Sequence, residues 1–456
     1  MKQKFLILII FTLGYVLHTK AQEKSNVIFI MADDLGWKDV GFMGNTVIET
    51  PNIDELATTG MIFTQGYSAA PVCTPTRASI MTGKYPGDLE MYAVIPSLKP
   101  NPEWDYGVPR GNNYNFFNTG DRYDYAISSR SYFPLEEKTI AEYLKEENYK
   151  TSYIGKWHLG HEPYHPLYQG FDVQIGTANY GSPPTYFFPY ETIRNEQKRL
   201  IEDLNKEGKP GEYLTDRLTD EAIQFIEENK KHPFFISLNY YNPHSPYYAK
   251  ENLRNYYKEA KNLKDRDAVY AAMIHTMDQN IGRIVKAITD AGLRKETLVI
   301  FTSDNGGVGS LSYLEPFRGS KGNLYEGGIR VPVVFSFPDK ITPGINEKTP
   351  VSSIDYLPTI MAFAGVNDVD KKIRGVNLMP VIKGERQFEN RKLFWHYPQL
   401  KMDMVVREGD YKLIMNSRSG QKELYNLIAD PSETDNLKDQ YPGKVERLEN
   451  LIENLN

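Results

Sequence analysis

Four short runs, each emptying into a polar loop, constrain this chain more than any other feature. They are Ser25–Ala32 (SNVIFIMA), Lys150–Ile154, His232–Tyr240 (HPFFISLNY) and Thr297–Thr302. Each is short and rich in β-forming residues, so each reads as a strand. Between and around them lie helical patterns: Asn52–Gly60, with a cap and a glycine stop, then Lys138–Glu147, Thr215–Asn229 and Ala268–Gly292. Strand, polar loop, helix, repeated, predicts an α/β fold: a large, mostly parallel sheet covered by helices on both faces. In a parallel sheet the loops at the strand ends share one edge. Those loops carry Asp33-Asp34, Lys156 with His158, Asn242 with His244, and Asp304-Asn305. The fold alone therefore predicts that these groups meet, at the edge where open α/β sheets hold their ligands.

Each group also has a plainer reading. An Asp-Asp pair is a solvated turn or, with a cation between its carboxylates, a binding site. A lone histidine is more often structural than catalytic. Lys156 and His158 stand two apart, so extended backbone would turn both to one side, where the lysine lowers the histidine's pKa. The run RGSKGNLYEGGIRVP, with Lys321, has the cations and loose backbone that suit an anion.

The texture changes after a helix at Asp355–Ala364. FWHYPQ, DMVVREGDYKLIM and KELYNLIADPSE read as a small antiparallel sheet, closed by a helix at Pro442–Leu455. A boundary near Gly384 gives a catalytic unit over 22–384 and a C-terminal α+β subdomain over 385–456. Between Asp88 and Phe133 the pattern dissolves into Asn, Tyr, Gly and Pro, over a length too great for an ordinary connection. This insertion is either a substrate wall, with Trp104, Arg110 and Arg122 as contacts, or an irregular surface decoration.

Met1–Ala21 has a basic end, an apolar segment and a plausible cleavage site, so it reads as a secretory signal peptide. Its apolar run falls short of the roughly 20 residues that span a bilayer, which predicts cleavage over anchoring and a periplasmic or secreted bacterial protein. Lysine and arginine number 53 against 59 acidic residues, a formal charge of −6. That balance argues against a general nucleic-acid binder, so an anionic substrate needs a local cationic pocket. The 32 tyrosines are compatible with stacking on sugar rings.

Pro71–Gly87, PVCTPTRASIMTGKYPG, holds Cys73, the only cysteine. It is either a small buried hydrophobe or, at a helix N-terminus beside Arg77, a group placed where anions are favoured. C-T-P-T-R-A-S-I-M-T-G resembles the signature of the type I sulfatases, in the alkaline-phosphatase-like superfamily. NVIFIMADDLGW, GKWHLG, NPH, SDNGG and KGNLYEGGIRVP resemble further blocks of that family, in family order.

The resemblance implies a sulfuric ester hydrolase whose Cys73 a maturation enzyme oxidises to formylglycine (3-oxoalanine). It implies Asp33, Asp34, Asp304, Asn305 and the modified Cys73 as metal ligands. With oxygen donors and no competing histidine, such a set selects Ca²⁺ first and Mg²⁺ second. Arg77, Lys156 and Lys321 are implied to balance charge on the sulfate, His244, helped by Lys321, to protonate the leaving group, and His158 to take the proton that releases sulfate. The expected substrate is a sulfated carbohydrate, of algal type such as ulvan or carrageenan before glycosaminoglycan. Two other readings stay open: a phosphodiesterase or phosphonate monoester hydrolase of the same superfamily, and an inactive carbohydrate-binding homologue.

Overall fold

A computed structural model describes residues 24–95, 104–105, 108–109, 114–118, 126–130, 132–194, 196–388 and 390–453. Its centre is an eight-stranded sheet. In chain order the strands are β1 (Asn26–Asp33), β2 (Gly60–Phe63), β3 (Lys150–Gly155), β4 (Val173–Ile175), β5 (Phe234–Pro243), β6 (Thr297–Ser303), β7 (Val333–Ser336) and β8 (Gly344–Asn346). In space they run β8-β2-β7-β6-β1-β5-β3-β4. Only β7 opposes the rest, pairing antiparallel with β6 and β2; the other pairings are parallel. The four strands read from sequence sit side by side at its centre.

Strand β1 shows why its run is apolar throughout. Ile28, Ile30 and Ala32 belong to one core, with α1 (Pro51–Thr58), α4 (Leu214–Asn229) and α5 (Asp265–Asp290). Val27, Phe29 and Met31 belong to another, with α2 (Cys73–Thr82), α3 (Ile140–Glu146) and α6 (Tyr356–Ala364). Alternate side chains leave a strand on opposite faces, so a strand covered on both sides needs apolar residues at every position. The expected helices on both faces are therefore present.

Two local expectations need correction. Gly60 does not cap α1; it opens β2, and a Cβ there would lie 2.3 Å from the carbonyl oxygen of Phe335 on the neighbouring strand. Strand β5 runs on to Pro243, so Asn242 is buried within it and donates to the carbonyl of Met273.

The C-terminal residues form the expected antiparallel sheet: β9 (Lys392–His396), β10 (Met404–Glu408), β11 (Tyr411–Met415) and β12 (Lys422–Asn426), closed by α7 (Pro442–Glu453). One face packs Val406, Leu413 and Leu424 on Leu448 and Ile452 of α7. The other packs Trp395, Tyr397 and Ile414 against Tyr67, Val72, Leu324 and Ile329, beside the Cys73 helix and the Lys321 loop.

Within the insertion, Trp104–Asp105 pairs with Val108–Pro109 and Tyr114–Asn118 with Ala126–Arg130, both antiparallel. The side chain of Trp104, and Arg110 and Arg122, lie outside the described residues, as does Met1–Ala21. No helix among the described residues is long and apolar enough to cross a membrane.

Candidate active site

Cys73 is the first residue of α2. Val72 precedes it in extended conformation, with no side chain capping the helix. The free N–H groups of the first turn thus surround the sulfur's end of the helix, where the helix dipole favours negative charge. The thiol itself is no ready nucleophile. Burial and the carboxylate of Asp304 push it up to about 12, against the pull of Lys156 and Lys321. Its Sγ lies 3.6 Å from Asp33 Oδ1 and 3.6 Å from Lys321 Nζ.

The strand ends converge on this sulfur. Asp33 Oδ2 takes Lys156 Nζ at 2.7 Å, with both side chains fully buried. Asp34 Oδ1 takes Lys321 Nζ at 2.5 Å and Asn305 Nδ2 at 2.9 Å. Arg77 grips Asp304 Oδ2 through Nε (2.9 Å) and Nη2 (2.8 Å), and donates Nη1 to the carbonyl of Lys156 at 2.7 Å. The backbone N–H of Asp34 donates to Asp304 Oδ1 at 3.2 Å. Three carboxylates thus face three cations, and of these six side chains Lys321 alone is appreciably exposed, at 23%. Burial raises the carboxyl of Asp33 despite Lys156. At Asp34 burial also pushes upward, but Lys321 and His244 overcome it and hold the carboxyl well below the usual range.

Gly155 aims Lys156. It ends β3 at φ +94°, a conformation that side chains resist, and a Cβ there would stand 2.0 Å from the carbonyl oxygen of Asn239. The strand therefore stops before Lys156, and His158 has φ +56°. This corrects the expectation that extended backbone turns Lys156 and His158 to one side; a sharp turn places them instead. His158 Nε2 lies 2.9 Å from the carbonyl oxygen of Ile95, so it carries the proton, and Nδ1 is left buried with no hydrogen-bond partner. Burial and Lys156 hold this ring well below its ordinary pKa, hence neutral.

His244 stands beside the expected ligand set. Its Nε2 lies 3.5 Å from Asp34 Oδ2, and donor atoms of Asp33, Asp34, Cys73 and His244 lie within 4.8 Å of one another, close enough to share an ion. Nδ1 donates to the carbonyl of Ser245 at 2.7 Å, which leaves Nε2 as the atom facing the cluster.

Three residues with a part in this arrangement were not legible as such. Thr74 Oγ1 donates to the carbonyl of His158 (3.0 Å) and accepts the N–H of Ile95 (3.2 Å), tying the Cys73 helix to the histidine turn. Lys412, from the C-terminal sheet, reaches Glu326 (2.9 Å) and Glu433 (2.8 Å) beneath the Lys321 loop. Asp39 binds the two Asp-bearing loops together. The only sequence signal was Asp39's spacing from Gly36, which suits a local turn.

The family profile described as Sulfatase matches residues 25–366, and that described as N-sulphoglucosamine sulphohydrolase, C-terminal, matches residues 320–456. A sulfatase of Formosa agariphila is 30% identical, over 93% of this chain and 86% of its own length. The N-acetylgalactosamine-6-sulfatase of Mus musculus is 31% identical, over 89% and 75%. Among solved structures, Ps i-CgsB in complex with k-i-k-neocarrahexaose superposes with a TM-score of 0.78 at 32% identity, covering 95% of this chain and 92% of that one. A lone cysteine at a helix N-terminus, ringed by paired carboxylates and cations, thus sits in a chain matched almost end to end, and the chain belongs to the sulfatase family of sulfuric ester hydrolases.

Proposed function

We propose that this chain removes sulfate from a sulfated carbohydrate, a polysaccharide or its oligosaccharides, using formylglycine made from Cys73 by a maturation enzyme and a hard divalent cation, Ca²⁺ before Mg²⁺. One observation carries the reading: Cys73 Sγ stands 3.6 Å from both a buried carboxylate oxygen of Asp33 and the ammonium of Lys321. The residues suit the ion. Oδ1 of Asn305 is buried beside Asp34 without a hydrogen-bond partner, a carbonyl oxygen left over for a ligand. Asp33, Asp34, Asp304, Asn305 and residue 73 would hold the ion, and oxygen donors select a hard cation. When bound, the ion acidifies a neighbouring hydroxyl, and hydrated formylglycine offers one hydroxyl to attack sulfur and a second to expel sulfate.

The chain's own groups do the rest. Lys321, whose side chain is 23% exposed, is the cation that an incoming sulfate meets. Arg77 and Lys156 are buried, hold the carboxylates and orient residue 73. Both add fixed positive charge where the sulfate oxygens gather negative charge. His244, 15% exposed and beside Asp34, is placed to protonate the leaving oxygen through Nε2. His158 is neutral with a free lone pair on Nδ1, and it accepts the proton whose loss releases sulfate.

The neocarrahexaose held by Ps i-CgsB supports an algal galactan as the substrate; the N-acetylgalactosamine-6-sulfatase relative supports a glycosaminoglycan. We favour the algal class. Met1–Ala21 directs export to the periplasm or beyond, residues 22–384 form the catalytic unit and 385–456 the C-terminal subdomain. The test is inorganic sulfate released by aldehyde-bearing protein from carrageenan, ulvan and glycosaminoglycan oligosaccharides, with phosphate diesters and phosphonate monoesters in parallel. Sulfate from the algal sugars is expected. Release from the glycosaminoglycans alone overturns the substrate class, and no release from any sulfated sugar overturns the proposal.

A further inference from the structure

Asp39 is completely buried, lies six residues beyond Asp33, and makes no ion pair among the described residues. Three donors from separate segments satisfy it instead. Oδ2 accepts the N–H of Gly36 at 2.8 Å and the hydroxyl of Tyr270, from α5, at 2.7 Å. Oδ1 accepts the N–H of Tyr313 at 2.7 Å, on the segment that follows Asp304 and Asn305. Ser312 Oγ lies 2.7 Å from the same tyrosine hydroxyl.

The two loops so joined have no slack between them. A Cβ on Gly307 would lie 2.8 Å from the Cα of Gly36 and 2.1 Å from Ser312 Oγ. One on Gly36 would lie 2.8 Å from Asp39 Oδ2. Backbone rests on backbone here, so whatever holds these loops sets their spacing directly. Upstream of the contact, Leu35 N–H donates to Ser303 Oγ at 3.1 Å and Asp34 N–H to Asp304 Oδ1 at 3.2 Å. A shift at Gly36 therefore reaches Asp34 within two residues.

We infer that Asp39 is a positioning residue for the metal site: by binding Gly36, Tyr313 and Tyr270 at once, it sets the separation between the Asp33-Asp34 loop and the Asp304-Asn305 loop. The inference rests on the metal reading above. Asparagine at this position keeps the volume but offers one acceptor oxygen where the carboxylate offers two, so the N–H of Gly36 or of Tyr313 loses its partner.

The experiment titrates wild type and D39N, each stripped by chelator, with calcium and in parallel with magnesium, following the melting temperature and binding heat. D39N is expected to bind calcium about tenfold more weakly, the low end of what outer-shell changes cause. Its loss of sulfate-ester turnover should shrink as calcium is raised. A purely structural role would lower the melting temperature of the ion-free protein and leave the calcium midpoint where it is; equal midpoints overturn the inference. If D39N does not accumulate in soluble form, Y270F removes one donor and keeps the carboxylate; it is expected to weaken calcium binding severalfold, and an unchanged midpoint again overturns the inference. A wild type that responds to neither ion overturns the metal reading, and this inference with it.

Discussion

Replacing Lys412 by methionine tests what the C-terminal sheet does for the active site. The ammonium of Lys412 is fully buried, 2.9 Å from Glu326 and 2.8 Å from Glu433, which are buried as completely. Removing one partner of a buried ion pair costs about 3–5 kcal/mol, because a charge is left without compensation. Two features place this case near the low end. Glu326 keeps Arg330 at 3.2 Å and the Tyr67 hydroxyl at 2.7 Å. Glu433, which burial pushes up to about 7 even with Lys412 present, can take a proton at little cost. A loss of about 3 kcal/mol in urea unfolding at pH 8 is therefore expected. The loss should shrink at pH 5.5. There Glu433 is protonated in both proteins, so the variant no longer buries its unpaired charge. Turnover should fall as well, because Glu326 lies five residues past Lys321 and Gly328 accepts the N–H of Gly306, beside Asn305. A variant within 1 kcal/mol of wild type at pH 8 would show that the cluster does not carry this load.

Other perturbations separate the roles of single groups. Gly155→Ala drives a Cβ to 2.0 Å from the Asn239 carbonyl and strains φ +94°, so Lys156 should be displaced; steady-state kinetics should show kcat falling more than tenfold, and an unchanged kcat refutes the aiming role. Cys73→Ala should abolish sulfate release while the protein still binds calcium, and mass spectrometry of the wild-type peptide around residue 73 should find an aldehyde; a persistent thiol in active protein contradicts the mechanism. Asp278 caps the start of α1, accepting from Asn52 at 2.6 Å and from the N–H of Ile53 at 2.8 Å. Burial raises its carboxyl from 3.8 to about 6. A folded-state value above the unfolded one contributes stability below the unfolded value that is lost as pH rises through the folded one. Wild type should therefore lose about 2 kcal/mol from this group between pH 4 and pH 7, whereas Asp278→Asn should not; parallel pH profiles in urea unfolding would rule this out.

What the sequence disclosed, and what it did not, follows the range of the physics. Strand β1 was legible because burial on two faces imposes an unbroken apolar run that a window of eight residues reveals. Its neighbours were legible for the same reason, and their parallel pairing then brought Asp33, Lys156, His244 and Asp304 to one edge before any contact was known. The turn after Gly155 was not legible, because a glycine's φ is chosen by the Asn239 carbonyl on another strand, which no local pattern announces. How close His244 Nε2 comes to Asp34 was not legible either, because its place is fixed by the Ser245 carbonyl and the end of β5.

Asp39 and Lys412 mark the deeper limit. An isolated aspartate six residues past a strand reads as a polar turn, and a lysine in an antiparallel strand reads as an outward-facing charge. Each becomes interpretable only when partners 231 and 86 residues away in sequence, Tyr270 and Glu326, arrive beside it. The residues that face substrate are drawn to one sheet edge by the local rule of strand and loop. Those that hold them in place are drawn together by long-range satisfaction of buried charge, which leaves no periodic trace. For this chain, then, mutational searches guided by sequence pattern alone will recover the reacting groups and pass over the residues that set their spacing.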